Sequence, residues 1–344
     1  MPPPSNSRRR VWQIAKWVLL AVVLVAVAAQ GWKLGRQVDW AHITIRPGWL
    51  ILSTLLYVAG WLPAVWFWRE LLREVAPPVS WFEVSKAYFC GHLGKYVPGK
   101  AGVIFIRAGM LQAHGVPFGP GALSAGYETL ASMAAGAAVG AALLPFAIPP
   151  EALEKILTWI PGGAASADWI PVVVLIGCLC GLRIMSQVFH RVLKKRVSTD
   201  GAGGAMECWK TQPTWLAFVL LVAGWWIHGL SMGCTIQALS PDPVSWSDWP
   251  RWTAATSLSI VLGFLALFSP GGLGVREWIL MEILEPVLGP LALVATVLSR
   301  LIWLVGECGA AGILYYWPVR HRPESRPEPL VVGEGENEPR INTD

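Results

Sequence analysis

Apolar positions run along this chain in long unbroken stretches separated by short polar breaks, and neither an alternating nor a one-sided amphipathic pattern dominates. Stretches of about 20 uncharged residues are what a helix needs to cross the hydrocarbon core of a bilayer. They recur from Trp17 to Trp317 with no soluble block between them. The pattern predicts an all-α integral membrane protein with spans near 17–29, 49–68, 122–147, 169–188, 215–239 and 290–317. Two further segments, 83–112 and 252–286, are apolar on both flanks but are broken by Gly94-Lys95-Tyr96-Val97-Pro98-Gly99-Lys100 and by Ser269-Pro270-Gly271-Gly272. Backbone of that kind is tolerated at membrane depth only inside protein or beside a cavity, so each is expected to be a re-entrant helical hairpin. The expected count is six spans with two hairpins, or eight spans if both hairpins cross.

Charge orients these elements. Arg8, Arg9 and Arg10 precede the first span, Arg69 and Arg73 end the second, and His190, Arg191, Lys194, Lys195 and Arg196 follow the fourth. Positive residues accumulate on the cytoplasmic side, which predicts that both termini lie in the cytoplasm of a cell whose inner membrane holds the chain. An Ala26-Val27-Ala28 pattern resembles a signal-peptide cleavage site, but Lys16 and Lys33 suit a retained signal anchor. The expected organisation is a basic N-terminus (1–14), a membrane domain (15–318) with halves 15–190 and 211–318 joined by a basic loop 190–210, and a disordered cytoplasmic tail (319–344) rich in Pro and Glu. Trp12, Trp32, Trp49, Trp68, Trp169, Trp215, Trp252 and Trp317 bracket apolar runs and are expected in interfacial belts. The run 122–147, rich in Gly and Ala, is expected to be an inner, closely packed helix.

Composition agrees with this reading: 54% of residues are hydrophobic and 14% charged, where a soluble domain has about 25% charged. The net charge of +5 is explained by the loop clusters, and no nucleic-acid partner is expected. The six cysteines are scattered without a paired array, so neither a metal site nor a disulfide framework is expected. There is no H-E-x-x-H, G-x-S-x-G or Walker loop, so no cofactor and no ATP-driven chemistry is expected.

The two breaks share a motif. Pro98-Gly99-Lys100-Ala101-Gly102-Val103 matches Pro270-Gly271-Gly272-Leu273-Gly274-Val275 at four of six positions, 172 residues apart. One copy is expected to enter from the cytoplasm and the other from outside, an inverted repeat of the sort that places broken helices around a midplane site. Pro ends the incoming helix, Gly permits the turn, and the next helix starts with free N–H groups that attract anions. Charges inside apolar segments are costly and usually face a cavity or a partner. Lys95, Lys100, Arg107, Arg276 and Arg300 are therefore candidates to receive a lipid phosphate, with Glu128, Glu277 and Glu307 orienting them or carrying a proton. Mutual pairing, of Arg300 with Glu307 for example, is the structural alternative. The turn residues are Pro98, Gly99, Gly102, Pro270, Gly271, Gly272 and Gly274. His228 is expected to be an ordinary interior histidine; for His92, beside the first turn, the question is more open.

At these residues the chain resembles the transmembrane, flippase-like region of the lysylphosphatidylglycerol synthase family, in its stand-alone form without the synthase domain. The specific element is Ser269-Pro270-Gly271-Gly272-Leu273-Gly274-Val275-Arg276-Glu277, similar to the family's P-G-G-x-G-x-x-E signature, supported by the first turn with Arg107, by Glu128 and by Arg300. The resemblance covers most of residues 10–318. It implies translocation of a phospholipid or lipid-linked headgroup between leaflets, the substrate being an anionic phospholipid or a polyprenyl-linked molecule. No transferase activity is expected, because only about 25 residues follow the last span. Two other readings stay open: an intramembrane enzyme acting on a lipid-linked sugar or phosphate, with a carboxylate such as Glu128 at a lateral opening, and a scaffold subunit for a lipid-modifying or polysaccharide-assembly partner. Lipid, direction, energy source and oligomeric state are not legible in the sequence.

Overall fold

A computed structural model describes residues 45–96, 102–149, 169–199, 214–240, 242–266 and 269–317, together with Trp32 and Arg36. The first predicted span, the tail after 317, the centre of the basic loop (200–213) and the first proline-glycine turn (97–101) lie outside the described residues. Every regular element among the described residues is helical.

The second span is two helices in series, α1 (Pro47–Gly60) and α2 (Leu62–Arg73), broken at Trp61 just ahead of Pro63. Then come α3 (Trp81–His92), a 3₁₀ turn (Leu93–Tyr96) and α4 (Gly102–Leu111). The long α5 (Phe118–Ala142) leads through the short α6 (Leu144–Ala147) towards α7 (Ile170–Thr199). The second half holds α8 (Thr214–Leu239), α9 (Trp249–Leu265), a 3₁₀ turn (Pro270–Gly272), α10 (Val275–Leu288) and α11 (Leu291–Tyr316). Three segments among the described residues are long and apolar enough to cross a membrane: Pro47–Arg73, Trp215–Leu239 and Leu291–Tyr316. The helix α5 has 25 residues and buries Gly121, Ala125, Ala131, Ala135, Gly136 and Gly140, as its small-residue composition predicted. The chain is an all-α integral membrane protein.

Lipid offers helices no hydrophobic reason to associate, so small residues and interhelical hydrogen bonds hold such a bundle. Between α1 and α8, Ser53 Oγ donates to Ser231 O at 2.7 Å and Ser231 Oγ donates back to Ser53 O at 2.8 Å. A Cβ on Gly224 would stand 2.6 Å from the Gly60 carbonyl, so the two backbones meet there without room for a side chain.

Two hairpins sit within this frame. In the first, α3 packs on α4, and a Cβ on Gly102 would lie 2.7 Å from Gly94 O. In the second, α9 packs on α10 across Gly271, Gly272 and Gly274, whose φ values are 61°, 73° and 85°. Those left-handed angles are what only glycine adopts freely. The four hairpin helices have 12, 10, 17 and 14 residues, each short of the roughly 20 that cross a bilayer core. The hairpin tips touch: a Cβ on Gly271 would lie 3.2 Å from the Tyr96 ring.

Three details differ from the sequence reading. The helix α7 does not stop near Val188 but runs on to Thr199, carrying the start of the basic loop on its last turns; Lys and Arg are good helix formers and favour a helix C-terminus. Trp68 and Trp252 are buried in the bundle, at 0% and 3% exposure, and do not sit in an interfacial belt. Trp68 Nε1 donates to Ser124 Oγ, and Trp252 lies against Gly233, where a Cβ would come within 2.3 Å of its ring. Trp169, Trp215 and Trp317 are exposed at helix ends as expected.

Candidate functional site

A cavity of about 240 Å³ lies where the hairpins meet α5 and the Trp61 break. Its polar lining is Tyr88, His92 and Lys95 from the first hairpin's outgoing arm, Arg107 from its return, Glu128, Thr129 and Ser132 from α5, and Arg276 from α10. Its apolar wall is Val103, Ile104, Leu130, Met133, Ile260 and Phe264. Leu130, at 46% exposure, also reaches the outer surface of the bundle. The side of the cavity between α5 and the hairpins therefore borders lipid.

Each hairpin delivers its arginine over a glycine. A Cβ on Gly91 would come within 2.3 Å of Arg107 Cγ, and one on Gly263 within 2.4 Å of Arg276 Cγ. Gly91 and Gly263 are themselves 172 residues apart, the spacing of the two P-G-x-x-G copies. The absent side chains let both arginines lie flat across the hairpin and turn inwards.

Three carboxylates meet three of the cations. Arg107 donates to Glu128 Oε2 at 2.5 Å, and its guanidinium lies 3.7 Å above the Tyr88 ring. Glu128 also accepts from Ser132 Oγ at 2.9 Å and Tyr88 Oη at 3.3 Å. Lys95 donates to Glu307 of α11, which further accepts from Tyr57 Oη at 2.5 Å and Tyr96 Oη at 3.1 Å. Arg300 donates to Glu277 at 2.6 Å across α10 and α11. These charge-assisted contacts satisfy carboxylates that would otherwise be costly to bury, at 1% exposure for Glu128 and Glu307.

The fourth cation is different. Arg276 is 6% exposed and lines the cavity, and its Nε is buried without a hydrogen-bond partner. Among the described residues no carboxylate stands within 4 Å of it. Among the described residues at and beside the cavity, then, Lys95, Arg107 and Arg300 each meet a carboxylate and Arg276 meets none. Residues 13–306 match the family model of the lysylphosphatidylglycerol synthase transmembrane region. The chain belongs to that family. No curated protein matches it.

Of the residues expected at a substrate path in this family member, Lys95, Arg107, Glu128, Arg276 and Gly271 line one cavity. Glu307 stands behind Lys95, and Arg300 with Glu277 forms a pair beside the second hairpin. Pro98, Gly99 and Lys100 fall outside the described residues, while Gly102 opens α4. Arg300 and Glu307 do not pair with each other: two helical turns separate them by about 10 Å along the axis, and each finds a nearer partner on another helix. The second turn also departs from the expectation of a free helix N-terminus. Glu277 Oε2 accepts from Gly274 N at 2.6 Å, so the helix end already holds its own carboxylate. The cation that this turn presents without a carboxylate, among the described residues, is Arg276. His228 is an interior histidine, packed between Tyr57, Trp61 and Trp225 at 4.8–5.5 Å.

The tyrosines escaped the sequence reading. Tyr57, Tyr88 and Tyr96 each donate to a site carboxylate, yet in the sequence they look like any aromatic in an apolar helix. The available signal was chemical: a buried carboxylate has more lone pairs than one cation fills, and tyrosine is a donor that an apolar helix can carry.

Proposed function

We propose that this protein is a flippase-like translocator that moves a phospholipid or lipid-linked headgroup between leaflets of the cell membrane, and that Arg276 receives the phosphate. The observation that carries this reading is a buried guanidinium, free of any carboxylate among the described residues, lining a cavity that joins a charged floor to an apolar wall. An amphipathic substrate needs both. A lipid phosphate would supply the missing counter-charge to the guanidinium, removing the cost of an uncompensated buried cation. The acyl chains would stay beside Ile104, Leu130 and Phe264, towards the membrane. Membership of a family of lipid-handling membrane regions supports the reading. A pure scaffold would have no use for such a cavity. An enzyme would need an available base, whereas Glu128 is held by Arg107 and its hydroxyl donors.

The test is the accessibility of a fluorescent phospholipid to an external quencher in proteoliposomes. Wild-type protein is expected to speed exchange between leaflets, and Arg276→Ala and Glu128→Ala are both expected to abolish the gain. Absence of acceleration with any phospholipid or polyprenyl-linked substrate would overturn the proposal.

A further inference from the structure

The charge balance of the cavity says more about the headgroup than that it contains phosphate. Resting on the translocation reading of this same cavity, we propose that the accepted headgroup is small and carries one net negative charge, as a phosphodiester with neutral substituents does, and that a headgroup bearing a free ammonium is refused.

Three observations converge. First, among the described residues the pairings leave one positive charge over, and it resides on Arg276. A singly charged diester neutralises it, whereas a zwitterionic or cationic headgroup brings an ammonium that needs a partner of its own. Second, no partner is on offer. Glu128 is engaged by Arg107, Glu307 by Lys95 and two tyrosines, and Glu277 by Arg300 and the Gly274 amide. The electron-rich ring faces that would hold an ammonium by cation–π attraction are also in use. Arg107 covers Tyr88 at 3.7 Å, and Trp61 is flanked by His92 at 4.6 Å and His228 at 4.8 Å. An arriving ammonium would be desolvated beside Lys95, Arg107 and Arg276, all of its own sign. Third, the volume of about 240 Å³ falls below the roughly 300–1,000 Å³ of ordinary small-molecule pockets. It suits a phosphate with a glycerol-sized substituent and not an oligosaccharide or an aminoacylated extension. The apolar wall of Ile104, Leu130, Met133 and Phe264 makes the ligand a lipid and not a free phosphate ester.

The family's name refers to a lipid whose headgroup is aminoacylated and basic; the charge pattern of this chain is the opposite of what such a headgroup needs.

The experiment is competition against fluorescent phosphatidylglycerol bound to the full-length protein in detergent micelles. The competitors are phosphatidylglycerol, lysylphosphatidylglycerol and the soluble headgroup glycerophosphoglycerol. Phosphatidylglycerol is expected to compete at least tenfold better than lysylphosphatidylglycerol, and glycerophosphoglycerol not to compete at matched concentration. Arg276→Gln is expected to narrow the gap between the two lipids to under threefold, while Arg276→Lys keeps it; the wild-type comparison stands even if a variant does not fold. Equal or better competition by lysylphosphatidylglycerol overturns the inference, as does displacement by glycerophosphoglycerol equal to that by the lipid. The two proposals separate cleanly. Selective binding of phosphatidylglycerol without leaflet exchange sinks translocation and keeps the headgroup assignment. Leaflet exchange of lysylphosphatidylglycerol as fast as of phosphatidylglycerol does the reverse.

Discussion

Glu307 shows how tightly the site is balanced residue by residue. It accepts from Lys95, Tyr57 and Tyr96 at 1% exposure. Replacing it with Gln leaves the Lys95 ammonium buried without counter-charge, and removing one partner of a buried pair costs about 3–5 kcal/mol. Thermal unfolding in detergent is expected to show Glu307→Gln well below wild type and the double variant Lys95→Met/Glu307→Gln restored part of the way. A double variant no more stable than the single one would mean that the pair is not coupled. Beyond the end of the second span, Glu74 is half-buried with one oxygen lacking a partner; burial first, and the Glu70 charge second, push its carboxyl from 4.5 up to about 8. A folded-state value above the unfolded one means that the folded protein holds the proton more tightly. The stabilising contribution is therefore complete below about pH 4.5 and is lost as pH rises to about 8. The unfolding midpoint is expected to fall between pH 5.5 and pH 8.5, and less so in Glu74→Gln.

The hairpins carry the argument at the scale of elements. If they enter from opposite faces, the two ends of each hairpin share one side of the membrane. In a cysteine-free background, Ser80→Cys and Ala113→Cys are expected to react with a membrane-impermeant maleimide only from the cytoplasmic side, and Ser247→Cys and Pro290→Cys only from outside. Labelling of the two ends of one hairpin from opposite sides would show that it crosses. Much of this level was legible in the sequence. The breaks at Gly94 to Lys100 and at Pro270 to Gly272 announce themselves because proline and glycine have few uses in an apolar helix. The arginine charges were equally visible, since a buried cation has to be accounted for. Partner choice was not legible. Arg300 meets Glu277 and Lys95 meets Glu307 because of how α10, α11 and the first hairpin cross, and no one-dimensional spacing encodes that crossing. The burial of Trp68 and Trp252 was hidden for the same reason: tryptophan near a span end suits an interface or a core equally well.

At the scale of the whole molecule, the α1–α2 span, α8 and α11 are the long supports, sewn together by hydroxyl contacts and close glycines. The short hairpins and Arg276 hang between them. Rigid packing thus surrounds the part that holds the charge, with α5, rich in Gly and Ala, as the wall against which both hairpins rest.

The single surplus charge makes the cavity an electrical element. Counting the described residues, the empty site carries one positive charge, and a singly charged diester as proposed above would cancel it. A membrane voltage acts on a full charge with about 2.3 kcal/mol per 100 mV, so in such a translocator it would bias the return of the empty site and leave the loaded one indifferent. On the translocation proposed above, each completed cycle would move one negative charge, and a voltage negative inside would drive that charge outwards whichever way the protein sits in the bilayer. In proteoliposomes carrying a potassium diffusion potential set by valinomycin, labelled phosphatidylglycerol is expected to accumulate in the outer leaflet when the interior is negative and in the inner leaflet when the sign is reversed. A leaflet distribution indifferent to voltage would show that the transported unit is neutral.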